Sequence, residues 1–236
     1  MLPLALQNVW FAAGRRTIIA GVTLEIGAGP RTIILGPNGA GKSVLMRLCH
    51  GLLTPTSGHV VWRGSRNERR PREQAMVFQR PIMLRRSAMA NVTYGLKLAG
   101  VSRRERELRG RDVLDAVGLT AVADRPARVL SGGEQQKLAL ARAWSLGPEV
   151  LFLDEPTANL DPGATRELET IIGQIHASGT KVVMTTHNLA QARRLGDEIL
   201  FMNGGRVIER APVERFFAQP ASVEGAAFLR DELPWN

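Results

Sequence analysis

The sequence predicts an α/β protein whose parallel sheet is covered by helices, and three observations support this fold class. First, the apolar strand Thr32–Leu35 leads into a glycine-rich stretch and then into a segment with helical period. Second, short apolar strands alternate with helix-length segments after residue 150, as in parallel sheets with crossover helices. Third, residues 81–147 lack strong strand signals and have a helical period, so we expect a helical subdomain inserted in the α/β core.

Apolar periodicity, together with glycine and proline positions, predicts the bounds of each element. The strands are expected at Leu4–Trp10, Thr17–Ile19, Val22–Ile26, Arg31–Leu35, His59–Trp62, Gln74–Phe78, Val150–Leu153 and Lys181–Thr185. The helices are expected from the glycine-rich stretch to about Gly51, from near Gly132, and at Ala88–Leu98, Arg104–Val117, Gly163–Ala177, Leu189–Leu195 and Pro212–Ala218. Glu198–Met202 and Arg206–Glu209 are expected to pair as a hairpin. We expect Gly64–Glu73 to be an exposed loop and the residues after 218 to be a polar tail.

The composition limits the class of protein. A chain of 236 residues with 44% hydrophobic content suits one sizeable globular domain. No apolar run approaches the ~18 residues of a membrane span, and the start has no secretory pattern, so we expect a cytosolic protein. The single cysteine, Cys49, allows no internal disulfide, and we expect a buried thiol on the helix face that Leu45 and Leu52 share.

The net charge of +9 raises the question of a nucleic-acid or acidic-membrane partner. The arginines are scattered, with one local cluster at Arg66, Arg69, Arg70 and Arg72. Only 5% of the residues are aromatic, which does not favour a groove that stacks nucleic-acid bases. We therefore favour a solvated basic surface near anionic lipid headgroups, and nucleic-acid binding stays open as the alternative.

The glycine-rich stretch fits the phosphate-loop pattern and consists of Gly36, Pro37, Asn38, Gly39, Ala40, Gly41, Lys42 and Ser43. Its glycines let the backbone curl so that N–H groups surround a polyphosphate, and the following helix adds its positive end. Lys42 can then reach the β- and γ-phosphates, and Ser43 can hold Mg²⁺. The alternative is a chance glycine-rich turn, and the flanking strand and helix argue against it.

Two further motifs carry chemistry. The apolar strand Val150–Leu153 ends in Asp154 and Glu155, and ligands gather at such strand ends in α/β sheets. Asp154 suits Mg²⁺ as a hard-oxygen ligand, whereas Glu155 is suited to polarise an attacking water. The triplet Ser131–Gly133 at a helix start offers a hydroxyl and bare N–H groups, which bind anions. A solvated strand end and a helix N-cap without a ligand are the structural alternatives.

The order of these motifs resembles the ATP-binding cassette (ABC) family. Leu130-Ser131-Gly132-Gly133-Glu134-Gln135 stands about twenty residues before the Asp154–Glu155 strand end and matches the signature sequence of that family. The resemblance covers Leu4 to about Ala218. It implies one domain, 1–236, with a P-loop NTPase (RecA-like) core at 1–80 and 148–218 and an N-terminal antiparallel β subdomain. It also implies an inserted α-helical subdomain at about 81–147 and a short C-terminal tail at 219–236.

The resemblance implies roles for individual residues. ATP is expected to bind the phosphate loop and Val44, and Mg²⁺ is expected to bind Ser43, Gln79 and Asp154. The catalytic residues are expected to be Glu155, Gln79 and His187, the last as a switch histidine that contacts the γ-phosphate. Asp161 is implied in communication across a dimer. The residues implied to contact the ATP of the other protomer are Ser131, Gly132, Gly133 and Glu134.

Three positions depart from the family pattern. Ala13 stands where an aromatic residue usually stacks on adenine, so we expect this stacking to be weakened or supplied differently, with relaxed nucleotide selectivity. Val44 and Lys137 stand where threonine and arginine are commoner. None of these changes removes a catalytic group, so we expect an active ATPase.

The resemblance implies an importer-type subunit that works as a head-to-tail homodimer closing over ATP. Its further partners are expected to be integral-membrane permease subunits, which dock near Gln79–Leu84, and indirectly an extracytoplasmic solute-binding protein. We expect it at the cytoplasmic face of the cell (inner) membrane, peripheral through the permease, with no nucleic-acid partner. Phe78–Leu98 and the tail Phe228–Trp235 are similar to tungstate-type oxyanion importers, so tungstate is the first expected substrate. Molybdate, phosphate, sulfate or an amino acid stays open, as does a nucleic-acid-associated ABC ATPase.

Overall fold

Strands and helices alternate along most of the chain in a computed structural model that describes residues 2–64 and 74–230. Strands β1 to β9 are Leu4–Ala13, Arg16–Ile26, Thr32–Leu35, Ser57–Trp62, Gln74–Val77, Val150–Asp154, Lys181–Thr186, Glu198–Asn203 and Arg206–Pro212. Helices α1 to α8 are Lys42–His50, Ala88–Leu98, Arg103–Ala116, Gly132–Trp144, Pro162–Ala177, Leu189–Leu195, Val213–Ala218 and Val223–Leu229. The arginine cluster at Arg66–Arg72, the predicted loop beyond Gly64 and the tail from residue 231 lie outside the described residues.

The chain divides into two compact units. Unit 1 comprises residues 1–69 and 181–236, and unit 2 comprises residues 70–180. The arrangement predicted from the resemblance, one domain with an inserted helical subdomain, stays a prediction. None of the helices in the described part of the chain combines the length and the apolar character that a membrane span requires.

An antiparallel sheet in unit 1 has the strand order β2-β1-β4. The predicted break between Thr17–Ile19 and Val22–Ile26 is wrong, because β2 runs unbroken through Gly21. Gly21 has a positive φ of 68°, and a Cβ at this position would lie 3.2 Å from the Trp10 ring. The glycine therefore admits the indole against the strand instead of ending it.

The other strands of unit 1 form a mostly parallel layer in the order β7-β3-β8-β9. Strand β3 pairs in parallel with β7 and β8, whereas β8 and β9 form the predicted hairpin through the turn Gly204–Gly205. All residues of β3 and β7 are buried, as expected for strands covered on both faces. The parallel, helix-flanked arrangement predicted from the sequence is confirmed.

Helix α1 follows β3 and carries the lone cysteine. Cys49 is buried, and burial raises the pKa of its thiol to about 12, so the prediction of a structural thiol is confirmed. Gly51 ends the helix in a left-handed conformation, with its N–H directed to the carbonyls of Arg47 and Leu48. Leu52 lies beyond this cap and is 50% exposed, so it does not share the buried face of α1 as predicted.

In unit 2, β5 pairs in parallel with β6, and four helices accompany these strands. Residues 81–147 contain α2, α3 and α4 and no regular strand, which agrees with the helical period of this stretch. Serines begin three of these helices: the hydroxyls of Ser87, Ser102 and Ser131 accept hydrogen bonds from N–H groups in the first turn. Helix α2 packs against α3 and α4, and α4 packs against α5.

The segment after residue 218 is not the polar tail that the sequence predicts, because α8 packs on unit 1 through Phe228. The Phe228 ring lies 5.3 Å from the Phe201 ring, which also contacts Phe216 at 5.6 Å. Glu209 holds the start of this helix, since its carboxylate accepts hydrogen bonds from the Ser222 hydroxyl at 2.6 Å and from two backbone N–H groups. One buried aromatic residue and one buried acid thus order a segment of polar composition.

Candidate functional site

The phosphate loop of unit 1 lies between buried strand β3 and helix α1, as predicted. Gly36 needs to be glycine, because its φ is 152° and a Cβ would collide with the carbonyl oxygen of Met202. Gly39 and Gly41 also have positive φ values of 77° and 97°. The loop therefore curls through conformations that few other residues adopt, with the start of α1 facing its mouth.

Backbone contacts fix this loop to two other segments of unit 1. The Gly205 N–H donates to the Ala40 carbonyl at 3.1 Å, and the Gly205 carbonyl accepts from Ala20 N–H at 2.9 Å. A Cβ on Gly41 would lie 3.0 Å from the Ile18 carbonyl oxygen. Backbone groups of the β8–β9 turn and of β2 thus hold the phosphate loop in place.

Lys42 supplies the charge of the phosphate loop. Only 5% of the residue is exposed, and its Nζ donates to the carbonyls of Gly36 at 2.8 Å and Pro37 at 3.0 Å. The ammonium therefore lies across the opening of the loop, next to the backbone that curls around it. A buried, positioned cation beside convergent N–H groups can bind the phosphates of a nucleotide.

His187 follows the strand next to the phosphate-loop strand. Because β3 and β7 are parallel with Leu35 opposite Thr186, Gly36 and His187 leave the sheet at the same edge. Thr186 positions the turn: its hydroxyl donates to Gln191 Oε1 at 2.9 Å and accepts from Asn188 N–H at 3.0 Å. The exposed imidazole therefore stands at the ligand-binding edge of this sheet on a hydrogen-bonded turn.

The carboxylates of unit 2 stand at the end of β6. Strands β5 and β6 pair in parallel with Val77 opposite Leu153, so Gln79 and the acids Asp154 and Glu155 follow neighbouring strand ends. Asp154 is only 4% exposed. Glu155 has a positive φ of 45°, and a non-glycine residue in this region stores strain of ~1 kcal/mol or more. Such strain concentrates where a side chain has to be aimed.

The signature turn, Ser131–Glu134, begins helix α4 and forms a capping box. Glu134 N–H donates to the Ser131 hydroxyl at 3.3 Å, and Ser131 N–H donates to the Glu134 carboxylate at 2.8 Å. The bond from the Ser131 backbone is the main cause that lowers the pKa of Glu134. Gly132 has open space where a Cβ would stand, so its backbone is accessible. The helix N-cap and an anion-binding role are compatible, because the other first-turn N–H groups still point outward.

Asp161 faces the signature turn across a cleft of about 680 Å³ within unit 2. It begins helix α5, and its Oδ1 accepts hydrogen bonds from Gly163 N–H at 2.8 Å and Ala164 N–H at 3.0 Å. These bonds, with Ala164 first, lower the pKa of the Asp161 carboxyl. On the same cleft, Lys137 Nζ and Glu167 form an ion pair at 2.9 Å that joins α4 to α5.

The sequence-predicted residues thus fall into three groups, one in unit 1 and two in unit 2. Unit 1 brings together the phosphate loop, with Val44 in the first turn of α1, and His187; unit 2 brings together Gln79, Asp154 and Glu155, and separately the signature turn and Asp161. Sequence reasoning missed Gln136, a buried side chain in α4 whose Nε2 lies 3.4 Å from the Phe78 carbonyl oxygen, and Gln191, which holds Thr186. Both are glutamines on buried faces of helices, and that is the signal that could have found them.

The donor types of the residues predicted to bind Mg²⁺ suit this ion. Ser43 offers a hydroxyl oxygen in unit 1, whereas Gln79 and Asp154 offer an amide and a carboxylate oxygen in unit 2; all three are hard donors of the kind that this ion prefers. The described residues contain no group of three or more His, Cys, Asp or Glu side chains placed to bind a metal. Mg²⁺ usually binds through one or two carboxylates and the phosphates of the substrate, so a single buried acid suits it.

Comparison with known proteins agrees with this geometry. A model of the ABC transporter family matches residues 19–158. The iron(III)-import ATP-binding protein FbpC of Pasteurella multocida is 36% identical over 231 residues, which are 96% of this chain and 66% of that protein. The chain thus spans about two thirds of the length of this relative.

Two further relatives are shorter. The phosphate-import ATP-binding protein PstB 2 of Natronomonas pharaonis is 35% identical over 98% of this chain and 87% of its own length. The tungstate-uptake ATP-binding protein TupC of Peptoclostridium acidaminophilum is 36% identical over 88% of this chain and 98% of its own length.

A solved structure is also similar. CbiO1 of Clostridium perfringens, part of the ABC transporter complex CbiONQ, has a TM-score of 0.81 and 27% identity, covering 92% of this chain and 90% of that one. The chain therefore belongs to the ABC transporter family: it is an ATPase with the P-loop NTPase fold that uses ATP and Mg²⁺, and its relatives are ATP-binding subunits of import systems.

Proposed function

We propose that the chain is the ATP-hydrolysing subunit of an import system for a small oxyanion, with tungstate as the first candidate. The observation that carries the proposal is the buried ammonium of Lys42 across the opening of the phosphate loop. A direct test is nucleotide binding by Lys42→Ala, which is expected to lose most of its affinity for MgATP. Unchanged affinity in a folded Lys42→Ala variant would contradict this assignment.

We infer that the acids of β6 carry the hydrolytic chemistry. Glu155 is proposed to polarise the attacking water, and its strained backbone at a positive φ supports this role. Asp154, Gln79 and Ser43 are proposed to hold Mg²⁺, which when bound neutralises phosphate charge. His187 is proposed to contact the γ-phosphate from the neighbouring strand end.

A second copy of the chain is the proposed partner in ATP binding. The signature turn is exposed at Ser131 and Gly132 and opens on the cleft that Asp161 borders. Helix N-termini of this kind bind phosphate, so the turn fits the ATP held by the phosphate loop of another copy. Gel filtration of a hydrolysis-deficient variant with MgATP tests this: a sample that stays monomeric, even with its membrane partner added, contradicts the proposal.

The proposed docking surface for permease subunits is the predicted segment Gln79–Leu84 together with the adjoining Phe78. Phe78 and Ile82 are 37% and 73% exposed. The backbone beneath them is nevertheless fixed, since Arg142 donates to the Ile82 carbonyl at 2.9 Å and the buried Asn91 accepts from Leu84 N–H at 2.9 Å. Exposed apolar side chains on a fixed backbone suit a protein interface. Through this surface the chain is proposed to sit at the cytoplasmic face of the inner membrane and to serve, indirectly, an extracytoplasmic solute-binding protein.

The identity of the transported solute is the most specific part of the proposal. The tungstate-uptake relative supports tungstate because nearly its whole length aligns, while the names of other relatives specify iron(III) and phosphate. The test is solute uptake by cells with and without the chain. Loss of tungstate uptake supports the proposal, and loss of molybdate, phosphate, sulfate or amino-acid uptake instead would replace tungstate with that solute.

The net charge of +9 favours a nucleic-acid-associated ABC ATPase as a second candidate. This alternative predicts that DNA or RNA stimulates ATP hydrolysis and binds with an affinity that falls steeply with salt. The import proposal predicts neither effect, and it predicts co-purification with a permease from membranes.

A further inference from the structure

Gln191 is a buried side chain that has no direct part in the proposed hydrolysis. It lies in the first turn of α6, shortly after His187, and only 1% of the residue is exposed. Its Oε1 accepts a hydrogen bond from the Thr186 hydroxyl at 2.9 Å. Buried polar groups are costly unless they are bonded, so this hydrogen bond fixes both side chains.

Three hydrogen bonds connect the residues on both sides of His187 in a closed ring. The Thr186 hydroxyl donates to Gln191 Oε1, and the same hydroxyl oxygen accepts from Asn188 N–H at 3.0 Å. Asn188 Oδ1 in turn accepts from Gln191 N–H at 3.0 Å. His187 thus lies between two residues that both bond to Gln191.

The direction of the Thr186 hydroxyl depends on Gln191. A hydroxyl has one proton to donate and lone pairs that accept. Because Gln191 Oε1 takes the proton, a lone pair of the Thr186 oxygen faces Asn188 N–H. Removing the acceptor at position 191 leaves the proton without this partner, so the turn that carries His187 loses a buried hydrogen bond.

Helix α6 is fixed to the strand that leads into the phosphate loop. It contacts both β3 and β7. At the end of the helix, a Cβ on Gly196 would lie 2.7 Å from Ile33 Cγ1, so the backbone packs closely on β3. Gln191 therefore connects the turn of His187 to a helix that has a fixed place on the phosphate-loop strand.

We propose that Gln191 is a positioning residue for ATP hydrolysis: through the Thr186 hydroxyl it holds His187 where the imidazole meets the γ-phosphate. The inference rests on the proposed function, since it requires the γ-phosphate contact of His187. The imidazole is exposed and stands on a turn, so its place depends on the backbone that carries it. A group displaced by about 1 Å can lose most of its effect on a reaction, so a bond outside the reaction centre can control the rate.

The expected consequence is selective for the third phosphate. MgADP lacks the γ-phosphate, so a displaced His187 weakens MgATP binding and leaves MgADP binding on the phosphate loop unchanged. A purely structural role for Gln191 would instead lower the free energy of unfolding without changing the ratio of the two affinities.

The test measures the rate of MgATP hydrolysis and the dissociation constants of MgATP and MgADP. Gln191→Met removes the acceptor and Thr186→Val removes the hydroxyl, so the two variants test one bond from both ends. Both are expected to hydrolyse MgATP roughly tenfold more slowly and to bind it about threefold more weakly, with MgADP binding unchanged. Thr186→Ser, which keeps the hydroxyl, is expected to retain most of the rate. Gln174→Met, on the exposed side of α5, is the control and is expected to match the unmodified chain.

A double-mutant cycle with His187→Ala identifies the group through which Gln191 acts. If Gln191 places the imidazole, then Gln191→Met adds no further loss of rate once His187→Ala has removed that ring. Additive losses, an equal weakening of MgATP and MgADP binding, or a full rate in Gln191→Met would each overturn the inference. A His187→Ala variant that hydrolyses MgATP at the parent rate would instead contradict the proposed role of His187, so the two failures are distinguishable.

Discussion

The side-chain amide of Gln136 donates a hydrogen bond to the carbonyl of Phe78 across 3.4 Å. Gln136 lies in the first turns of α4, just after the signature turn, and Phe78 directly precedes Gln79. Only 3% of Gln136 is exposed, so water does not replace this bond when it is lost. The bond joins the anion-binding start of α4 to the segment that carries Gln79.

Gln136→Leu is expected to lower the free energy of unfolding by ~1–2 kcal/mol, because the Phe78 carbonyl loses a buried partner. Urea unfolding followed by circular dichroism measures the change. The matched control is Gln174→Leu in α5, where the side chain is exposed and a change within about 0.5 kcal/mol is expected. Equal stability of the two variants would show that the Gln136 bond contributes nothing.

Ser131→Ala is expected to destabilise the protein by ~1 kcal/mol, because the hydroxyl no longer accepts from Glu134 N–H in the first turn of α4. Ser131→Asn, which keeps an N-cap acceptor, is expected to retain most of that stability. Thermal unfolding distinguishes the two. A Ser131→Asn variant that melts with Ser131→Ala would contradict the capping argument.

Glu155→Gln is expected to reduce ATP hydrolysis by about 10²–10⁴-fold, because the amide cannot polarise water while the phosphate-binding groups remain. The same variant is expected to accumulate as an ATP-bound dimer, which gel filtration with MgATP detects. Glu224→Gln, on the exposed side of α8, is the charge-matched control and is expected to hydrolyse ATP normally. Turnover by Glu155→Gln at the parent rate would refute the role of this carboxylate.

Lys181 is expected to make stability depend on pH in the alkaline range. Its Nζ donates to the Pro30 carbonyl and, at 2.7 Å, to the Thr32 hydroxyl, with Glu198 3.8 Å away. Burial lowers the pKa of this ammonium from 10.5 to about 8, although Glu198 opposes the shift and Arg210 adds to it. The unfolded chain therefore binds more protons between these values, and the free energy of unfolding rises with pH across that window.

Lys181→Met is expected to remove this rise, since no ammonium then has to be buried. Urea unfolding at several pH values between 8 and 10.5 measures the slope for each protein. Lys97→Met is the control, because Lys97 is exposed and its replacement is expected to leave the slope unchanged. If Lys181→Met and the unmodified chain show the same slope, then Lys181 is not the group that titrates.

The parts of the fold that the sequence predicts well are those with local signals. The strand, glycine loop and helix around Lys42 and the hairpin that turns at Gly204–Gly205 follow from nearby residues, and both are confirmed. The predicted break at Gly21 and the polar tail are wrong for one reason. In each case an aromatic ring distant in sequence, Trp10 or Phe201, supplies the packing that orders the segment.

In the candidate site, too, the sequence predicts the local motifs but not the contacts between residues distant in sequence. Motif spacing singles out the phosphate loop, the Asp154–Glu155 strand end and the signature turn, because each is a short run of chain. Spacing cannot reveal that Gln136 bonds a carbonyl 58 residues earlier. Such contacts depend on how elements pack, which periodicity within a single element does not report.

One consequence concerns the Gly205 amide, which bonds to the Ala40 carbonyl while the adjoining carbonyl accepts from Ala20. Any shift of the phosphate loop has to lengthen or bend the hydrogen bond from Gly205 N–H to the Ala40 carbonyl. Isotope labelling of glycine would therefore make Gly205 a spectroscopic reporter. The exchange rate of its amide proton would report whether a nucleotide occupies the phosphate loop, with no need for a modified nucleotide.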